Sequence, residues 1–245
     1  MPGRERRAGR GRAVQPNRRT PILGTMPLIL RLPVAAYEAR VRELNVLCST
    51  ERFDFLAGVG VLGAGPCPST RAWRGNRSNA DWADFLGSVM RFHEGVGLPE
   101  GWPPTDFLLA EVWGEGDGRG GGPVVVGRAS VRYGLTEELL NHGGHIGYAV
   151  APEFRRRGYA TEILRQTLVL LYSRGVRRAL LVCDDDNAGS ARVIEANGGV
   201  LEDRRRCPGG GPLKRRYWIP LGRGPRPDAT AGTRSINGCR GPRCA

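Results

Sequence analysis

Between residues 28 and 221, apolar and polar positions alternate with readable periods. Leu28 to Leu32 is a short apolar run that predicts a strand, and Val34, Tyr37, Val41, Leu44 and Leu47 follow at the three- and four-residue spacings of one helix face. That spacing predicts a helix from Ala35 to Leu47. Trp82, Phe85, Leu86 and Val89 predict a second helix over Asp81 to Phe92, which the prolines from Pro99 to Pro104 stop. Phe107 to Trp113 and Val124 to Tyr133 read as a pair of strands joined by a glycine-rich turn, Gly114 to Gly122. A short helix, Thr136 to Asn141, leads into a strand from His145 to Val150.

The second half is more regular. Gly158 to Ser173 carries Ile163, Leu164, Leu168, Leu170 and Leu171 at helical spacing, with Gly175 where a helix C-cap glycine belongs. Ala179 to Cys183 is wholly apolar and predicts a buried strand. Asn187 is placed to cap a helix that runs through Asn197 and stops at Gly198-Gly199. Val200 to Arg205 and Arg215 to Leu221 complete the pattern as two strands. Strands alternating with helices after a hairpin-rich start predict an α/β fold whose sheet has mixed strand directions.

Charge changes this picture at the two ends. Of a net +13, residues 1 to 25 hold +6 and residues 222 to 245 hold +4, and both segments are rich in Gly, Pro and Arg without apolar periodicity. Such segments bury too little to offset the entropy of ordering and are expected to be disordered, leaving residues 26 to 221 as the folded domain. With no interleaved aromatics, the basic ends argue against a nucleic-acid partner and fit solvated tails. No stretch approaches the ~18 apolar residues of a membrane span, so no membrane role is expected. Arg18-Arg19 before Ile22-Leu23 resembles an export signal faintly, but Pro21, Pro27, Arg31 and Pro33 interrupt the apolar run, and a cytoplasmic location is expected. The six cysteines have no CxxC spacing and read as free thiols.

Chemistry concentrates where the strand Tyr148-Ala149-Val150 ends, Pro152 turns the chain, and Arg155-Arg156-Arg157-Gly158 opens into the helix beginning Tyr159-Ala160-Thr161. The first amides of a helix lack internal partners and sit at the positive end of its dipole, which suits a phosphate or pyrophosphate. An ordinary strand-to-helix turn with solvated arginines fits the same residues. Gly58-Val59-Gly60-Val61-Leu62-Gly63 spells a dinucleotide fingerprint, but Ala-Gly-Pro-Cys-Pro follows it instead of a helix, so no nucleotide site is expected there. His142 and His145 straddle Gly143-Gly144 and do not have the setting of a metal pair, so no metal is expected.

The pattern Val150-x-Pro152-x-x-Arg155-x-x-Gly158-x-Ala160 resembles the acyl-CoA signature of the GNAT superfamily of acyl-CoA-dependent N-acetyltransferases. Asn187-x-x-Ser190 followed by Ile194-Glu195-x-x-Gly198 is similar to that superfamily's second CoA-side segment. His145 to Tyr148, Cys183 to Asn187 and Asn197 to Gly199 are similar to a subgroup of bacterial predicted acetyltransferases of undefined substrate. The resemblance is specific from about Leu98 to Leu221.

It implies a mixed, mostly antiparallel central sheet flanked by helices and splayed at the CoA site, with acetyl-CoA as cosubstrate and an amine as acceptor. Tyr148, Ala149 and Val150 would border the pantetheine arm, Arg155 to Thr161 would meet the diphosphate, and Asn187 and Ser190 would face the arm from the next helix. A homodimer is left open.

Direct attack of an amine on the thioester calls for a base and for an acid to protonate the leaving thiolate. The superfamily often places a tyrosine as that acid where this chain has Ile194, which leaves Cys183 and Tyr148 as candidates. His145 and Asp184 are the candidate catalytic residues, with His142, Glu111 and Glu138 as further candidate bases. Alternatives from other classes are a CoA-binding regulatory module without turnover and a nucleic-acid-associated protein using the basic ends.

Overall fold

The computed structural model describes residues 28–50, 55–56, 79–98, 100–113, 122–206 and 212–222. The basic ends through residue 25 and from residue 223, and the glycine motif at 58–63, lie outside the described residues.

Four strands, β1 (Ile29–Arg31), β2 (Thr105–Trp113), β3 (Pro123–Arg132) and β4 (Ile146–Val150), form one antiparallel sheet in that order. Three more, β5 (Arg178–Asp184), β6 (Val200–Arg206) and β7 (Leu213–Pro220), form a second in the order β5-β7-β6. Register in the first sheet carries Leu108 opposite Ala129 and Ala129 opposite Tyr148; in the second, Leu181 opposes Tyr217. Helices α1 (Glu38–Ser49) and α2 (Asn79–Glu94) bury one side of the first sheet, and α3 (Tyr159–Ser173) and α4 (Ala188–Ala196) bury apolar side chains against the other side and the second sheet.

On the first side, Trp82 stacks on Phe85 at 4.9 Å and Phe85 meets the Phe107 edge at 5.6 Å, with Val41, Leu44, Leu109 and Val125 beneath. On the other, Ile163, Leu164 and Leu171 of α3 are fully buried among Val126, Ala129, Val131 and Leu181. Each such aliphatic side chain contributes about 1.5–3 kcal/mol through burial. This fits the α/β architecture expected from the sequence, a largely antiparallel sheet flanked by helices.

Two local expectations are corrected. Residues 35–37 form a 3-10 turn before α1, which takes Val34 off the helix face; within α1, Leu47 stands six residues from Val41, about 120° around the helix, whereas Cys48 stands seven away and returns to the same face. Leu47 is 40% exposed, and Cys48 takes its place in the core beside Val41 and Leu44. The short helix expected from Thr136 to Asn141 is present, with the Leu140 N–H on Thr136 O at 2.8 Å, but it runs on to Gly143: its last turn widens over Leu139–Gly143 and closes with the Gly144 N–H on Leu139 O at 2.6 Å.

Candidate active site

Strands β4 and β5 are neighbours without being paired along their length. At their base the His145 N–H donates to Leu180 O at 2.8 Å and the Leu180 N–H donates to His145 Nδ1 at 2.9 Å. Helix α3 then returns the chain from the end of β4 to the start of β5, so both strands run from this junction toward the same end of the molecule. There Tyr148 and Val150 of β4 and Asp184 at the end of β5 line one cleft of about 650 Å3. The expected splay is present.

The far wall of the cleft is the loop that enters α3. Pro152–Phe154 form a 3-10 turn, Arg156 takes a left-handed backbone (φ 65), and Gly158 takes another (φ 87) as the N-cap of α3. The first main-chain bond inside α3 is Glu162 N–H to Gly158 O, so the amides of Ala160 and Thr161 precede it, and both residues line the cleft. With the positive end of a 15-residue helix at the same point, the wall suits an anionic diphosphate.

The three arginines divide their roles. Arg155 lines the cleft and ties Nε to Val150 O at 3.1 Å, and Arg156 also lines it. Arg157 donates to Glu153 O at 3.2 Å and lies over the Phe154 ring at 5.3 Å, so it braces the loop and is not among the residues that line the cleft. Glu153 is in turn held by Arg40 of α1. Burial works against the charge of Glu153, but the bond from Arg40, a main-chain bond and the charges of Arg40 and Arg155 together outweigh it and keep its pKa below the ordinary value. No periodic signal marks Arg40 as a partner of this loop, because the contact spans 113 residues.

The opposite wall is α4. Asn187 caps it, its Oδ1 accepting from the Ser190 N–H at 2.9 Å, as its residue type predicts. Gly189, Ser190 and Val193 line the cleft from this helix; Val193 lies one turn on from Gly189 and Ser190, the spacing by which the sequence could mark it. The Tyr148 hydroxyl crosses from β4 to Ser190 Oγ at 2.8 Å, joining the two walls. Burial raises the pKa of Tyr148, keeping the phenol protonated, and burial also raises that of Cys183. Ile194 is fully buried in the core among Ala191 and Tyr217.

Of the candidate bases, only Asp184 lines the cleft, and it is ion-paired to Lys214. Asp185 is likewise held by Arg204 and Arg215. Glu111 is fully buried on β2 beside Arg31 Nε at 3.3 Å, and His142, Glu138 and His145 do not line the cleft. The placement of His145 does not suit a base, since the lone pair of Nδ1 is occupied by a main-chain N–H and the neutral ring carries its proton on Nε2. Among the described residues no three His, Cys, Asp or Glu side chains gather as a metal site, and no helix is long and apolar enough to cross a membrane.

Burial pushes His145 down to about 4, and the Arg132 charge adds to this. The folded value lies below the unfolded value of about 6.5, so the neutral ring's contribution is present above that pH and lost as pH falls toward 4. The melting temperature is expected to fall across this window, and to fall less in His145→Asn, which has no imidazole to protonate. Parallel curves for the two proteins would contradict this.

A family model for the GNAT acetyltransferase domain matches residues 78–200, half of the chain, and the chain belongs to that family. It is an acetyl-CoA-dependent N-acetyltransferase by that membership. The fold is similar to that of Mycobacterium smegmatis RimJ in complex with CoA-disulfide, with a TM-score of 0.54 at 16% identity over 79% of this chain and 81% of that one. It is also similar to a Salmonella typhimurium acetyltransferase that modifies the N-terminal serine of ribosomal protein L7/L12 (TM-score 0.51, 16% identity, 82% of this chain and 98% of that one). A third similar fold is spermidine N-acetyltransferase from Vibrio cholerae in complex with CoA and spermine (0.50, 14%, 79% and 95%). No curated protein matches the sequence.

Proposed function

We propose that the cleft between β4, α3 and α4 holds acetyl-CoA and that the chain transfers the acetyl group to an amine of a small molecule or of a protein N-terminus. The observation that carries this reading is the open edge of β4 meeting the N-terminal amides of α3 in one cleft. The amides of Gly158 to Thr161 and the Arg155 and Arg156 side chains take the diphosphate. The edge of β4 from Tyr148 to Val150 takes the pantetheine arm, with Asn187 and Ser190 facing it from α4.

Bound there, the thioester supplies the activated acetyl group that an amine attacks directly. Tyr148 does what the residue at Ile194 cannot: its protonated phenol, held on Ser190, gives a proton to the leaving thiolate, and the proton that the acylated amine releases to solvent balances the one that restores the phenol. Asp184 lines the cleft but is paired with Lys214, so it is not placed to act alone as the base. An amine on a small molecule and the amine of a protein N-terminus both fit a cleft this open.

Acetyl-CoA is expected to raise the melting temperature and to give a saturable calorimetric signal, because a ligand that binds only the folded state stabilises it by mass action. No shift and no heat at millimolar acetyl-CoA would overturn the reading. An amine panel monitored by release of free CoA thiol then separates polyamine, small-molecule and peptide acceptors.

We infer further that residues 26–221 are the catalytic domain, since the elements from β1 to β7 that build the cleft share continuous buried cores, and the basic ends carry no apolar periodicity. A chain cut to 26–221 is expected to keep the melting temperature and acetyl-CoA affinity of the full chain. A drop of more than threefold in affinity would assign one of the ends a part in the site.

A further inference from the structure

We propose that His145 is a positioning residue, a clamp whose imidazole sets the width at which β4 and β5 part and so shapes the slot for the pantetheine arm. The proposal rests on the reading of the cleft as the acetyl-CoA site. His145 is bonded to both sheets at once. Its carbonyl accepts from the Arg132 N–H of β3 at 2.8 Å, its own N–H goes to Leu180 O of β5, and its ring accepts the Leu180 N–H. The residue is 5% exposed, so no solvent competes for these bonds.

The position of the ring explains the splay. In a continuous sheet the Leu180 amide would meet a main-chain carbonyl of the neighbouring strand. Here an imidazole takes the carbonyl's place, and β4 beyond it pairs only with β3. The edge of β4 that faces β5 is thereby left for a ligand. Close approach is confined to the base, where Gly144 (φ 69) brings its backbone so near that a Cβ there would lie 2.6 Å from Leu180 O. Above the base the strands separate toward Tyr148 and Asp184. A side chain without an acceptor at 145 leaves the buried Leu180 amide unsatisfied, and the strand must shift to pair it or let water in.

Two substitutions separate this role from simple packing. Asparagine at 145 presents Oδ1 about where the histidine presents Nδ1, whereas phenylalanine keeps a ring and lacks the acceptor. His145→Asn is expected to hold acetyl-CoA within about threefold of wild type and to keep kcat. His145→Phe is expected to weaken acetyl-CoA binding and raise its KM on the order of tenfold, with kcat at saturation within a few-fold, because a small displacement of the slot costs binding throughout.

In wild type, nitrogen-detected NMR is expected to show Nδ1 of His145 unprotonated at pH 7, with and without acetyl-CoA. A folded phenylalanine variant with wild-type affinity would overturn the clamp, as would an asparagine variant as weak as phenylalanine. A protonated Nδ1 would overturn it even if the phenylalanine variant failed to fold. A wild type that bound no acetyl-CoA would instead remove the reading of the cleft, and the proposal with it.

Discussion

Gly158→Glu is expected to lower acetyl-CoA affinity on the order of 100-fold or more while leaving most of the protein folded at room temperature. Gly158 is the N-cap of α3 and has φ 87, and a Cβ built on it meets nothing within 4 Å. Space is therefore no obstacle, and the cost of any side chain is that of the left-handed backbone, about 1 kcal/mol. Gly158→Ala carries that cost alone. Its denaturant midpoint is expected to fall by a corresponding amount with acetyl-CoA affinity nearly unchanged.

Glutamate adds a carboxylate at the positive end of the helix, where it recovers part of the stability and competes for the place of the diphosphate. The two variants are thus expected to be similar in stability and far apart in affinity. If alanine loses affinity as glutamate does, the glycine serves the loop's geometry alone. If neither loses it, the diphosphate binds elsewhere.

Tyr148→Phe is expected to lower kcat by about 10- to 100-fold with little change in the KM for acetyl-CoA, the pattern of a lost proton donor. The hydroxyl hydrogen-bonds to Ser190 Oγ and the Ser190 carbonyl, so its removal costs stability only about 1 kcal/mol. Ser190→Ala removes the partner and leaves the phenol, and a smaller fall in kcat is expected from it. Unchanged kcat in Tyr148→Phe would mean that the thiolate leaves without this proton, as its modest basicity permits.

Much of this arrangement is legible in the sequence. Asn187 reads as a cap from its residue type and its place before an apolar run, and it caps α4 through Ser190. The helix opening at Gly158 is legible because a glycine follows a basic turn and precedes period-3.6 spacing, signals confined to a dozen neighbouring residues. Departures begin where the signal is not local. Three consecutive arginines look equivalent in sequence, yet Arg157 is committed to Phe154 and Glu153, and nothing in its neighbours distinguishes it from Arg156. His145 has the residue type of a base, but burial and the Leu180 amide, 35 residues away, make it an acceptor within the fold.

The sequence by itself determined the order of strands and helices, the cap at Asn187, the glycine-opened start of α3 and the absence of a tyrosine at Ile194, since each depends on residue type and short-range periodicity. The tertiary structure alone decided that β4 and β5 part above His145, that Tyr148 reaches Ser190 across the cleft, that Arg40 holds Glu153, and that Lys214 occupies Asp184. The reason is physical. Hydrogen bonds and ion pairs between residues 30 to 113 positions apart depend on how whole elements pack, and no period in the chain records which side chains that packing brings together.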